Sequence, residues 1–235
     1  MTTAVAYNLT DWVITSSVEE ITKSWVENDN SDFLWSEILS RGAFLILAPT
    51  AVIICALDTI LGFGAALASF ASLGMHEPTV DFATNHLDSF QGIIAQPFSL
   101  LVQMVNPHAD FNNTETFTLG GRTYTEPKIK SITNLISNRL FFFSQQELQK
   151  SEYFLVRHVF SRATYALEIP LCIITKVADT AIGCIALPFD LITLGTINEL
   201  NIYGRRAFTI PGIINQFFLC AIKTINPWSI KTSLT

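Results

Sequence analysis

Asp58 is the only charged residue between Gly42 and His76. In so apolar a run a carboxylate is costly unless it is paired, protonated or in contact with water. It also has a counterpart. Setting residue n over residue n+121 places Asp58 on Asp179, with Lys176 one helical turn before the second acid. Three uses fit an acid in this setting: a hydrogen bond or salt bridge to a neighbouring helix, a proton or ion site, or a helix end in water. The first is the expectation, with Asp58 meeting Lys176 across two long helices that run parallel. Lys176 and Asp179 are also close enough along one helix to neutralise each other.

A second group of chemically capable residues follows. His76, Glu77, Asp81, His86 and Asp88 lie within thirteen positions, and His108 and Asp110 come later. Metal binding requires convergent ligands at helical or turn spacing, as in HExxH. Here Pro78 follows Glu77 and the matching stretch of the second half has no histidine, so the reading is a solvated loop without a metal. Cys55, Cys172, Cys184 and Cys220 sit in apolar runs without CxxC spacing and read as small buried hydrophobes. No GxSxG, P-loop or GxGxxG motif is present. No catalytic residue and no cofactor is assigned, and the chain does not read as an enzyme.

These residues are carried by an internal duplication. The 121-residue offset pairs Phe33-Leu34, Ser40-Arg41, Pro49, Ile53, Asp58-Thr59, Gly62, Ala65 and Leu73-Gly74 with Phe154-Leu155, Ser161-Arg162, Pro170, Ile174, Asp179-Thr180, Gly183, Ala186 and Leu194-Gly195. One deletion later, Gly92-Ile93-Ile94 and Asn106-Pro107 meet Gly212-Ile213-Ile214 and Asn226-Pro227. Two collinear blocks of this kind point to a repeat. Each unit reads as a long apolar helix that begins at proline and stops at Leu-Gly, a polar link, and a shorter apolar helix. Pro49 to Leu73 would extend ~37 Å, enough to cross a ~30 Å hydrocarbon layer. Asp58 and Gly62 in the first unit, and Lys176, Asp179 and Gly183 in the second, fall on stripes of small or polar residues suited to close helix packing.

The expected fold is therefore mostly α, with two tandem units of a long and a shorter apolar helix and a small β-hairpin between them. The divisions are an amphipathic segment at 1–32 bearing Trp12, Ile14, Val18, Ile21 and Trp25, a first unit at 33–107, a connecting segment at 108–153, a second unit at 154–227 and a tail at 228–235. Within the connecting segment, alternation about Gly120-Gly121 predicts the hairpin, and apolar spacing from Pro127 to Phe160 predicts a further helix. Pro188 is expected to kink the second long helix and turn Asp190 toward solvent.

Composition places these elements in a membrane setting. Only 14% of residues are charged, against about 25% in a typical globular domain, and the mean hydropathy is +0.38. The net charge is −6, with acids concentrated before Arg41, so nucleic acid is not an expected partner. The long apolar lobes at 43–74 and 167–197, between acidic and weakly basic flanks, resemble hydrophobic membrane proteins of chlamydia-type intracellular bacteria, including inclusion-membrane proteins with a bilobed hydrophobic segment. That resemblance implies a bacterial membrane or, for a secreted protein, a host-derived one. The expected function is a structural, scaffold or docking role in a membrane, with lipid and a second copy or another protein as partners. The alternatives are a small transporter or channel using Asp58, Lys176 and Asp179, and a soluble helical protein with an apolar surface for a partner or lipid.

Overall fold

The computed structural model describes residues 8–28, 32–111, 114–119, 122–127 and 129–229. The first helix, α1 (10–26), turns Ile14, Ile21 and Val26 onto Phe44, Ala48 and Ala51 of α2 (Leu34–Ala71). Its apolar stripe is thus spent on the neighbouring helix, and Trp12 is left 70% exposed. Pro49 lies inside α2, which corrects the expected start there. The turns before it are fixed by the α1 contacts and by Arg41, which donates to the carbonyls of Met104 and Val105 at the far end of α3 (Glu77–Val105). Such tertiary contacts offset the ~3 kcal/mol that an interior proline costs a helix.

At its other end α2 stops at Leu-Gly. Leu73 has φ 50° and Gly74 φ 67°, and the Gly74 N–H donates to Ser69 O at 2.8 Å, closing the last turn as a left-handed cap does. The polar stretch after it is not a loop: Glu77 to Asp88 form the first turns of α3, with Pro78 in the opening turn where its missing N–H costs nothing. The shorter apolar helix expected at 89–105 is the second half of α3.

The second half of the chain repeats this order with a break. A helical stretch α4 (132–148), divided near Ile136, precedes α5 (Val156–Ile192), so the helix expected from 127 to 160 is interrupted. α6 (Asn198–Phe208) and α7 (Ile210–Ile225) then take the place held by the single α3 and are bent by 58°. Pro211 stands where α3 has Gln91. Proline removes a helical hydrogen bond and disfavours helical geometry in the residue before it, and Pro211 stands at the break, whereas α3 stays continuous through its own Pro97. Pro188 lies within α5, and Asp190 is wholly buried, contrary to the expected solvent exposure.

The two halves hold each other at matched places. A methyl built on Gly74 would lie 2.8 Å from Ile222 and 3.0 Å from Ser229, and one on Gly195 would lie 2.6 Å from Val102 and 3.0 Å from Ala109. Asn226 donates to Gly74 O, and Asn201 donates to Asp110 O. The end of α2 therefore sits beside the end of α7. That end lies in turn at the start of α5, where Gln149 donates to Tyr165 and to Pro227 O. It follows that α2 and α5 run antiparallel, with α3 and α7 packed between them. The parallel arrangement expected from the sequence is overturned.

The fold class also needs correction, because the packed body is all-α. The hairpin expected as part of the architecture is not a layer of it: the backbone of β1 (Thr114–Leu119) pairs antiparallel with that of β2 (Arg122–Pro127), and among the described residues these strands extend no sheet.

Candidate functional site

The two inward acids are each built into the start of a preceding helix. Leu9 N–H, Thr10 N–H and Thr10 Oγ1–H donate to Asp58 at 3.0, 2.7 and 2.6 Å, and Ser89 Oγ–H of α3 adds a fourth bond at 3.2 Å. Ile132 N–H, Thr133 N–H and Thr133 Oγ1–H donate to Asp179 at 2.9, 3.0 and 2.7 Å. Each acid thus supplies from another helix the acceptor that the free N–H groups of a helix start require, and a negative charge there is favoured by the helix dipole. The residue before each start makes a conventional cap as well: Asn8 Oδ1 accepts from Asp11 N, and Ser131 Oγ accepts from Asn134 N.

A basic group stands off each acid. His86 Nε2 is 3.8 Å from Asp58 Oδ1, and Arg206 Nη1 is 4.0 Å from Asp179 Oδ1. The His86 Nδ1 faces Phe82 O at 2.9 Å, and its ring stacks on Phe82. Arg206 donates to Ile129 O and lies over the Tyr203 ring. Both acids are almost wholly buried.

One turn farther along each long helix is the glycine of the small-residue stripe. A methyl on Gly62 would lie 2.7 Å from Leu87 N, and one on Gly183 would lie 2.7 Å from Ala207 Cα and nearer still to Ala207 N and Arg206 C. The absent side chain is what lets the α3 backbone approach α2 and the end of α6 approach α5. Asp58, Gly62, Asp179 and Gly183 therefore form two matched sites. Lys176 belongs to neither. Its Nζ lies 2.9 Å from the methyl position of Gly212, beside Gln91, and Asp58 takes its partners from α1 and α3. Thr10, Thr133, Ser89 and Arg206 were not singled out by sequence reasoning, and His86 was, but as part of a solvated loop and not as the neighbour of Asp58. The available signal was the likeness of Asn8-Leu9-Thr10-Asp11 to Ser131-Ile132-Thr133-Asn134, a pair offset by 123 residues and hidden from the 121-residue alignment.

Among the described residues no three histidine, cysteine, aspartate or glutamate side chains converge as metal ligands. The arrangement is a pair of helix-capping and close-packing sites within an all-α body that carries two helices long and apolar enough to cross a membrane, or three if the bent pair α6–α7 is one span. No family model, curated protein or solved structure matches the chain.

Proposed function

We propose that the chain is a membrane-embedded structural or docking protein made of two copies of one helical unit, 8–111 and 131–229, set in inverted orientation. The carrying observation is where α2 and α5 turn their polar and apolar groups. Ile46, Ile53, Ile60 and Leu67 recur every seven residues on α2 and are 62–72% exposed, forming one outward stripe. Leu167, Ile174, Ile185 and Ile192, spaced seven, eleven and seven residues apart and 65–77% exposed, form a similar stripe on α5. The acids Asp58, Glu168, Asp179 and Asp190 all point inward and are essentially inaccessible. Polar inside and apolar outside inverts the order of a water-soluble fold, and lipid is the solvent that such a surface suits.

A structural role is favoured over transport because Asp58 and Asp179 are engaged as caps and Lys176 lies beside Gln91 and Gly212 and is not among the partners of Asp58. The matched contacts at Asp58 and Asp179, Gly62 and Gly183, and Gly74 and Gly195 support the duplicated unit. They extend it to include α1 and α4, so that the N-terminal and connecting helices belong to the units instead of lying outside them.

Membrane embedding predicts that the protein stays in the pellet after carbonate or high-salt extraction. It also predicts a labelling pattern. Cys184 is exposed on α5, whereas Cys55, Cys172 and Cys220 are buried. An apolar maleimide should modify Cys184 in intact membranes, and a charged, impermeant maleimide should not. Release into the carbonate supernatant together with rapid labelling by the charged reagent would establish the soluble alternative.

A further inference from the structure

We propose that the cavity between α1, α3 and the end of α6 binds an oxyanion, in the form of a phosphate group carried on an apolar chain. The cavity has a volume of about 740 Å³, within the range of roughly 300–1,000 Å³ usual for small-ligand sites. It is lined by Gln96 and Leu100 of α3, by α1 residues between Thr15 and Glu27, and by Arg205 of α6. Among the described residues Arg205 makes no hydrogen bond or ion pair. Asp88 acts on it electrostatically without bonding to it. The next residue behaves differently, since Arg206 is held by Ile129 O, the Tyr203 ring and Asp179. Gln96, too, makes no side-chain hydrogen bond among the described residues.

A half-buried guanidinium without a partner, set in a cavity, retains its full donor fork. Planar oxyanion edges match that fork two bonds at a time. Among the described residues no acid on the lining bonds Arg205. Glu19 is exposed and paired with Lys23 at 3.4 Å, Glu27 is exposed, and Asp110 lies half-buried on the segment after α3. Val18, Leu100 and Phe111 give the same cavity an apolar side, which suits a hydrocarbon chain. Phosphate on such a chain is the chemistry of a lipid headgroup. A soluble phosphate compound shares the anion but not the chain.

The test uses the full chain purified in a neutral maltoside detergent and titrated with three probes: dihexanoyl phosphatidic acid, dihexanoyl phosphatidylcholine and inorganic phosphate. Saturable binding of the phosphatidic acid is expected, weakened by at least about tenfold, or ~1.4 kcal/mol, in Arg205→Gln, and less in Arg205→Lys. Lys23→Gln at the mouth should change it by no more than about twofold, ~0.4 kcal/mol. Arg205-dependent binding of phosphatidic acid well above that of inorganic phosphate identifies a lipid source. Equal Arg205-dependent binding of both identifies a soluble phosphate. Phosphatidylcholine binding as tightly as phosphatidic acid, an unchanged affinity in Arg205→Gln, or no saturable binding would each overturn the proposal. Should Arg205→Gln not fold, Gln96→Leu carries the same expectation of weakened binding and the same power to refute it. Because every arm is read in detergent, failure here leaves the membrane reading to its own extraction and labelling test.

Discussion

Asp179→Ala should destabilise the protein by about 3 kcal/mol or more, the range seen when one partner of a buried charged cluster is removed. The change strips Ile132 N–H, Thr133 N–H and the Thr133 hydroxyl of their acceptor and leaves Arg206 without a nearby acid. Each orphaned buried donor costs on the order of 1–3 kcal/mol. Asp179→Asn keeps an acceptor oxygen and should lie between the wild type and alanine. Asp58→Ala should behave alike and free α1, so limited proteolysis should cut first within 8–28 in that variant and within 129–150 in Asp179→Ala. Lys176→Met should reproduce neither pattern. Thermal unfolding in detergent, read alongside the protease pattern, checks all four. A Lys176→Met variant as damaged as Asp58→Ala would restore the direct pairing that the structure rejects.

The second large effect is expected at Gly183. Alanine there would place its methyl against the backbone of Arg206 and Ala207, where no flexible side chain can yield, and α6 would have to move off α5. Overpacking of this kind typically costs about 1–3 kcal/mol and sometimes more, and a backbone obstacle puts Gly183→Ala at the upper end. Gly62→Ala should follow with a smaller loss. Gly64 supplies the contrast, because nothing lies within 4 Å of its methyl position and alanine is the better helix former by roughly 0.5–1 kcal/mol. Gly64→Ala should therefore raise the melting temperature while Gly183→Ala lowers it. Equal responses at the two sites would mean that the close approach of α6 to α5 is not required.

Much of this architecture is legible in local spacing. The stripe that holds Asp58, Gly62, Asp179 and Gly183 follows from helical periodicity, and the Leu73-Gly74 and Leu194-Gly195 stops follow from the one residue type that takes positive φ readily. What escaped depends on non-local contact. Thr10 lies 48 residues from Asp58, and a helix start has no periodicity to announce its partner. Pro49 marks a helix start only if nothing holds the turns before it, and α1 and Arg41 hold them. The polar run from Glu77 to Asp88 resembles a loop by composition but is helical because its apolar members, Val80, Ala83 and Leu87, are buried in the core. The direction of α5 could not be counted from spans either. The chain between α3 and α5 carries it to the opposite end of the bundle, a displacement that no periodicity within the helices encodes.

The reciprocal contacts at Gly74 and Gly195 also bear on how the chain comes to completion during synthesis. The turn at Leu73-Gly74 is made first, and its covering residues Ile222, Asn226 and Ser229 follow much later in the chain, Asn226 by 152 residues. Helices pair locally as they emerge, whereas contacts between residues far apart in the chain wait for both ends. The first helical hairpin can therefore form on its own but remains an open clasp until the end of α7 arrives. Gly195 receives Val102 and Ala109, residues already in place when it is made. The molecule thus shuts in a fixed order, the older half latching the newer turn before the newer half latches the older.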